Sequence, residues 1–395
     1  MALMIDPPNA PGHGITWSHL ASDSSLEELH AFARAIGVPA RGFDGDHYDI
    51  PAHRYDAVVA AGAEPVSSRE LLARVSAAGL RSRKATRLRA RKPGRRLLAP
   101  ALLEPGDLVE VVMPAGPVDQ QRLETGVAVL RSWGLQVRVS SPPPGDVPWL
   151  AGPDDFRAAE FTRAWLDPEV AAVWTGRGGF GSQRILDLLD WRILTQAPPT
   201  WLIGFSDITA LHQAVASRLG VVTAHACPVA GLADELAALS ARALLMHGTV
   251  EPLTGRPGRT AGRAEGVLVG GNLTMLAASA GTGFTHAATD SIVVLEDVGE
   301  RPFRLDRALT QVLRSGWLDG ARGIVCGQFT DCGDPAQIAE LLSVRLEPLG
   351  IPVLYDVPVG HGAGGRALPL GAAASLDTTG INSEMGRLEV APLRG

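Results

Sequence analysis

The amino-acid sequence predicts an α/β protein in three parts: a small N-terminal α/β domain, a domain built on a mostly parallel, helix-covered sheet, and a mixed, β-rich C-terminal domain. Three observations predict this. At 395 residues the chain is too long for one ordinary core. Short apolar runs alternate with helical patterns after residue 100 and give way to a Gly-rich closing segment with short strands. Between the first part and the rest lies a cationic run, Arg81 to Arg96, with nine Lys or Arg residues and no acid.

Residues 1–80 form the small domain. Ser24 with Glu27, and Ser67 with Glu70, have capping-box spacing ahead of LEELHAFARAIG and RELLARVSAAG. These helical patterns end at Gly37 and Gly79. Residues 81–96 read as a solvated interdomain linker, with a contact for an anionic partner as the alternative. The second domain spans 97–250. Its strand Leu108 to Met113 leads through the turn PAGPVD into a helix stopped by Gly134, and then into the strand LQVRV. VAAVWTG and TWLIGFS repeat the strand signature at Val170 and Trp201, which makes the sheet Rossmann-like. Residues 246–265 loosen into Gly-, Pro- and Arg-rich sequence, the expected crossing to the third domain, 251–395. There the strand SIVVLEDVG, a helix from about Leu305 to Arg314 and the strand GIVCGQF follow one another. No internal repeat is visible.

Composition narrows the function. Hydrophobic residues make up 46% and charged residues 20%, as in a globular protein with a sizeable core. No apolar run reaches about 18 residues and MALMIDPPNAPGHG lacks a signal-peptide pattern, so a cytoplasmic location without a membrane partner is expected. Cys227, Cys326 and Cys332 have no metal-type spacing and fit a reducing compartment. Outside the cationic run 27 basic residues face 42 acidic ones, and such an acidic body argues against nucleic-acid binding.

Four segments carry candidate chemistry. In TWLIGFSDITALH, Ser206 stands where a strand meets a helix, a turn that presents a hydroxyl outside the sheet. Ser206 and Asp207 are equally ordinary helix caps. In GRGGFGSQRILDLLD, Gly176, Gly178 and Gly181 match G-x-G-x-x-G, so this loop is either a nucleotide-binding turn, a tight structural turn, or a source of backbone N–H groups beside Ser206. Glu296, Asp297 and Glu300 lie at a strand end and its turn, where one of them could orient a histidine. His361 sits between two glycines in VPVGHGAGG and has the chemistry of a general base. Among other histidines, His212 reads as packing and His225 as a pocket-lining candidate. The first 53 residues hold His13, His19, His30, His47 and His53, with Asp6, Asp46 and Asp49 as companions, but no HExxH or close paired-ligand motif, so no metal is assigned.

The blocks PGDLVEVVMPAGPVD, VWTGRGGFGSQRILDLLD, GFSDITALH, GGNLTMLAASAGT, LEDVGERPFRLDRALTQ and PVGHG…LPLGAAASLD resemble, in wording and order, those of the LD-carboxypeptidase family. That family includes muramoyl-tetrapeptide carboxypeptidases and microcin C immunity proteins. The resemblance implies a Ser-Glu-His triad: Ser206 as nucleophile, His361 as base and Glu296 as its orienting carboxylate. Asp207 and Gly178 or Gly179 would supply oxyanion-hole N–H groups. It further implies no cofactor, an active site between the second and third domains, and a small murein peptide as substrate, with a homodimer left open. Amide cleavage of a peptidyl-nucleotide antibiotic is the related alternative; nucleotide binding through Gly176–Gly181 is the non-enzymatic one. TAHACP departs from the family's usual histidine followed by Gly-Pro. Residues 1–80 lie outside the resemblance to the peptidase and look like a small bacterial domain of unknown function.

Overall fold

The computed structural model describes residues 2–12, 15–39, 43, 46–78, 80, 97–141, 147–380 and 385–393. His13, Gly79 and the cationic run Arg81–Arg96 lie outside the described residues. The chain divides into two compact units, Met1–Leu88 and Arg89–Gly395.

Among its described residues the first unit has a five-stranded sheet and three α-helices: β1 (Leu3–Ile5), β2 (Ala10–Gly12), β3 (Ile15–Ser22), α1 (Leu26–Ala35), β4 (Tyr48–Pro51), α2 (Tyr55–Ala60), β5 (Glu64–Pro65) and α3 (Ser68–Ala77). The order is β2-β3-β1-β5, with β4 also paired to β3. Strand alternation sends Ile5, Leu20 and Ile50 to one core with Leu29 of α1, and Met4 and Ala21 to another with Leu71 and Val75 of α3. The Ser67 cap forms as expected, its Oγ accepting from the Glu70 N–H at 3.1 Å. The first cap is shifted by one residue from the expected Ser24–Glu27 pair: Ser25 accepts from the Glu28 N–H. The reason is Ser22, whose Oγ takes up the Ser24 N–H at 3.0 Å and donates to Glu28 at 2.6 Å.

The second unit joins a six-stranded sheet to a closed barrel. The sheet contains β6 (Leu108–Val112), β7 (Gln136–Val139), β8 (Val170–Thr175), β9 (Trp201–Gly204) and β10 (Thr223–His225), connected through α4 (Gln120–Ser132), α5 (Asp154–Leu166), α6 (Ser182–Ile185), α7 (Trp191–Leu194) and α8 (Thr209–Arg218). After α9 (Glu235–His247) the barrel strands follow: β11 (Leu253–Pro257), β12 (Arg263–Asn272), β13 (Ser291–Val298), β14 (Gly323–Thr330) and β15 (Val353–Tyr355). Between them run α10 (Leu273–Ser279), α11 (Pro302–Arg314) and α12 (Pro335–Leu346). β16 (Leu368–Leu370) leaves the barrel for the sheet, and β17 (Ala373–Asp377) and β18 (Gly386–Val390) close the barrel against β12 and β11.

The five sheet strands are parallel, as their helical crossovers require, with β16 antiparallel on β10. Val109, Val111, Trp174 and Ile203 face α4 and α9, whereas Val112, Val173 and Leu202 face α5 and α8. Each such buried Val or Leu contributes roughly 1.5–3 kcal/mol. In the barrel, Leu268, Ile292, Val294 and Val325 fill the inside while Val293, Leu295 and Ile324 meet α11 and α12 outside. Two expectations are corrected. The Gly/Pro-rich crossing at 246–265 contains a barrel strand, β11, whose composition hides it. The helix expected from Leu305 begins three residues earlier, with Pro302 in the first helical turn where no N–H is needed.

Candidate active site

Parallel strands bring their carboxyl ends to one edge of a sheet, and loops leaving that edge form its natural ligand crevice. Three loops meet there: Gly176–Gly181 after β8, Phe205–Ile208 after β9 and Ala226–Pro228 after β10. Ser206 opens a single 3-10 turn before α8, with φ +63°. A non-glycine residue in this left-handed region costs of order 1–3 kcal/mol, strain that clusters at functional turns. The Gly loop packs directly on it. A Cβ on Gly178 would lie 3.1 Å from the Ser206 Cβ and 3.2 Å from the Phe205 carbonyl, so a side chain there would crowd the turn.

Asp207 locks the two loops together. Its buried carboxylate accepts the Ser182 N–H at 2.7 Å, and its carbonyl accepts the Ser182 hydroxyl at 2.6 Å. Burial pushes the Asp207 carboxyl up, opposed by the bonds from Ser182. The N–H that would open a phosphate site at the start of α6 is therefore already taken, and α6 is only one turn long. Arg157, itself buried, holds the Gly181 carbonyl at 2.9 Å and also binds the carbonyls of Pro114 and Gly152. Sequence reading missed this arginine, because only the fold carries α5 under the loop.

The carboxylate and the histidine come from the barrel. Alternation along β13 sends Glu296 and Asp297 to opposite sides. Asp297 turns to Asn272 (2.9 Å) and Thr274 (2.8 and 3.0 Å) and fastens α10 to the strand. Glu300 lies 3.6 Å from Arg304. Glu296, wholly buried, accepts a hydrogen bond from His361 Nδ1 at 2.7 Å through its Oε2. Its pairing with β14 is irregular at this point, where Leu295 pairs Cys326 but Asp297 pairs Phe329. The extra residue bends β14 and brings Gln328 to the histidine loop, where its Oε1 accepts the Gly362 N–H at 2.9 Å. Gly360, at φ +128°, approaches so closely that a Cβ would lie 3.0 Å from Glu296 Oε2. No spacing rule in the sequence points to Gln328.

Burial would raise the Glu296 carboxyl, but the bond from His361 and the neighbouring His225 outweigh it and hold the group below its ordinary value. His225 Nε2 stands 3.8 Å from Glu296 Oε1, beyond hydrogen-bond length, and is the second imidazole beside the carboxylate. The Phe205 ring packs against both histidines, with centroids 4.3 Å from His361 and 5.8 Å from His225. Ser206, His225 and His361 line one cavity of about 730 Å³, together with Gly178, Gly179, Arg122, Arg177 and Arg366. His212 is packing, as expected, with Nε2 2.9 Å from the Gly204 carbonyl. Cys227 also reaches the cavity, yet burial pushes its thiol up to about 12, which keeps it protonated and a poor nucleophile.

Residues 109–226 match the LD-carboxypeptidase N-terminal domain and residues 265–376 the LD-carboxypeptidase C-terminal domain. A protein of Streptomyces coelicolor named as a carboxypeptidase is 46% identical over 295 residues, 72% of this chain and 94% of its own length. This chain belongs to the LD-carboxypeptidase family. It is thus a hydrolase of the serine carboxypeptidase type. The murein tetrapeptide carboxypeptidase of Pseudomonas aeruginosa is 35% identical over 287 residues, 68% of this chain and 92% of that one. A muramoyltetrapeptide carboxypeptidase from Oxalobacter formigenes superposes with a TM-score of 0.65 at 25% identity, covering 73% of this chain and all of the other. The microcin C7 self-immunity protein has the same LD-carboxypeptidase fold, with a TM-score of 0.65 at 20% identity over 76% of this chain and all of its own. Residues 3–78 match a separate family described as a protein of unknown function (DUF4031). No helix among the described residues is long and apolar enough to cross a membrane.

Proposed function

We propose that the second unit hydrolyses the amide bond before the C-terminal D-amino acid of a murein tetrapeptide, with Ser206, His361 and Glu296 as its catalytic triad. The observation that carries this reading is the 2.7 Å Glu296–His361 bond at the wall of the cavity that Ser206 enters on a strained turn. Glu296 holds the His361 ring through Nδ1, leaving Nε2 to take the Ser206 proton. The alkoxide attacks the scissile carbonyl, and N–H groups of Asp207 and of Gly178 or Gly179 receive the oxyanion. His361 returns the proton to the departing D-amino acid, and water then hydrolyses the acyl-enzyme by the same route in reverse. Arg122, Arg177 and Arg366 outnumber Asp119 and Asp234 in the cavity lining, a positive balance that suits the free carboxylates of such a peptide.

Release of D-alanine from murein tetrapeptide tests the proposal, with the all-L peptide as control. Release from the former at least a hundredfold faster is expected. Equal rates, or cleavage of a peptidyl-nucleotide amide with no D-alanine released, would move the substrate to another class.

A further inference from the structure

The first unit carries a second meeting of histidines and acids, and strand geometry explains it. Asp49 lies in β4 and His47 immediately before it, two residues apart, the spacing that extended backbone needs to bring two side chains to one side. β4 pairs antiparallel with β3 in a register that sets Asp49 directly opposite His19. Donor atoms of His19, His47 and Asp49 lie within 4.8 Å of one another. The His47 Nε2 to Asp49 Oδ1 distance is 3.3 Å, already the spacing of about 3.4 Å that two ligands adopt around a tetrahedral ion bound at about 2.1 Å.

The surroundings of the two rings match what metal-binding histidines require. His47 Nδ1 is 2.6 Å from Asp46 Oδ1, and His19 Nδ1 is 3.0 Å from Asp6 Oδ2. A carboxylate on Nδ1 fixes the tautomer and makes Nε2 the ligating nitrogen of each ring. Asp6 is buried and doubly tied to His19, since its other oxygen accepts the His19 backbone N–H at 2.6 Å. The neighbouring Tyr48 points to the other side, where its hydroxyl meets His30.

We propose that this unit binds one divalent first-row transition-metal ion of the zinc class through His19, His47 and Asp49, with Asp6 and Asp46 orienting the two rings. Two imidazoles and one carboxylate, the donors found among the described residues, suit zinc, cobalt or iron(II) over magnesium or calcium.

The test uses the untagged full-length chain after dialysis against a chelator. Calorimetric titration with Zn²⁺ should give one ion per chain, and Co²⁺ should give the visible absorption of a four- or five-coordinate site. Asp49→Asn and His19→Gln should each weaken Zn²⁺ binding tenfold or more, and Asp6→Asn by roughly 10–100-fold through the lost ring orientation. Ser206→Ala should bind as the wild type does. Wild-type protein that takes up neither ion stoichiometrically overturns the proposal, and so does stoichiometric binding that Asp49→Asn and His19→Gln leave unchanged. Were those variants to misfold, the Co²⁺ spectrum of the wild type still decides, because octahedral, nearly colourless Co²⁺ contradicts the site.

Discussion

Each unit of this chain brings histidines against carboxylates, and the two groupings differ in how far solvent reaches the acid. Glu296 has no exposed surface and sits between His361 and His225. In the first unit the Asp49 side chain is 45% exposed and His19 33%. A shut-in carboxylate can only hold and polarise the rings beside it, so the reactive edge of the pair is the face of His361 turned to the cavity. A solvent-reached carboxylate pointing at the same space as two imidazoles is a set of converging donors. On the two proposals above, similar residue types serve a proton relay in one place and a cation site in the other, with burial as the difference between them.

The largest effect expected from breaking the relay is at Ser206. Ser206→Ala should lower kcat by roughly 10⁴-fold or more while the protein stays folded, as removal of a triad nucleophile does elsewhere. Ser206→Gly should be as inactive yet more stable than Ser206→Ala by about 1 kcal/mol, since glycine accepts φ +63° without strain. Activity assays with thermal melts check both, and a variant keeping half the wild-type rate would remove Ser206 from the mechanism. Next comes Glu296→Gln, expected to cost roughly 10²–10⁴-fold, because the amide no longer fixes the ring tautomer. Glu300→Gln should stay within about threefold of wild type, since its acid faces Arg304. The opposite ranking would transfer the orienting role to Glu300.

The contrast between the two groupings also shows what the sequence could and could not disclose. The strand-to-helix turn at Ser206, the glycines around His361 and the acids of LEDVGE are local patterns, and all could be read from residue order. The choice of Glu296 over Asp297 and Glu300 rested on family likeness alone; in the structure, alternation along β13 separates the first two. Gln328 depends on an irregular pairing between two strands, Arg157 on a helix crossing beneath a loop, and the approach of His225, legible only as a pocket-lining candidate, to Glu296 on a strand end that reaches the barrel. None of these leaves a spacing signal. The same holds for His19 and Asp49, which are thirty residues apart in sequence and opposite one another only through the register of β3 with β4. β11 was hidden for the converse reason: a strand of a closed barrel needs one inward apolar face, and LTGRP shows little of it.

A smaller effect concerns acid stability. The folded Glu296 carboxyl is held below its ordinary value, so the pair contributes stability that is complete above the unfolded pKa and is lost as pH falls through the folded one. His225→Ala removes one of the groups that hold it down and leaves Oε1 with less compensation for burial. Its melting temperature should begin to fall at the same pH as that of the wild type, because the unfolded carboxyl sets the onset, but the fall should end at higher pH and the neutral-to-acid drop attributable to this pair should shrink. Coincident curves from pH 7 to pH 3 would show that His225 does not act on the carboxylate.

The smallest expected effect is none at all, and it separates the two groupings most cleanly. A chain beginning at Leu97 should fold and release D-alanine at the full-length rate. Its second unit has its own cores on both faces of the six-stranded sheet and inside and outside the barrel. The first unit likewise closes its own, around Leu20 and around Met4. Nine cationic residues in the sixteen before Leu97 make that stretch a poor candidate for burial, since unpaired buried charge is strongly disfavoured. Every residue of the proposed relay lies beyond it, and a Ser-His-Glu site generates its nucleophile without a metal. Chelator treatment of the full-length protein should therefore strip the ion from His19, His47 and Asp49 yet leave D-alanine release unchanged. Should activity fall on chelation in the full chain but not in the shortened one, the metal unit regulates the peptidase. Should it fall in both, the relay needs an ion and the triad assignment fails.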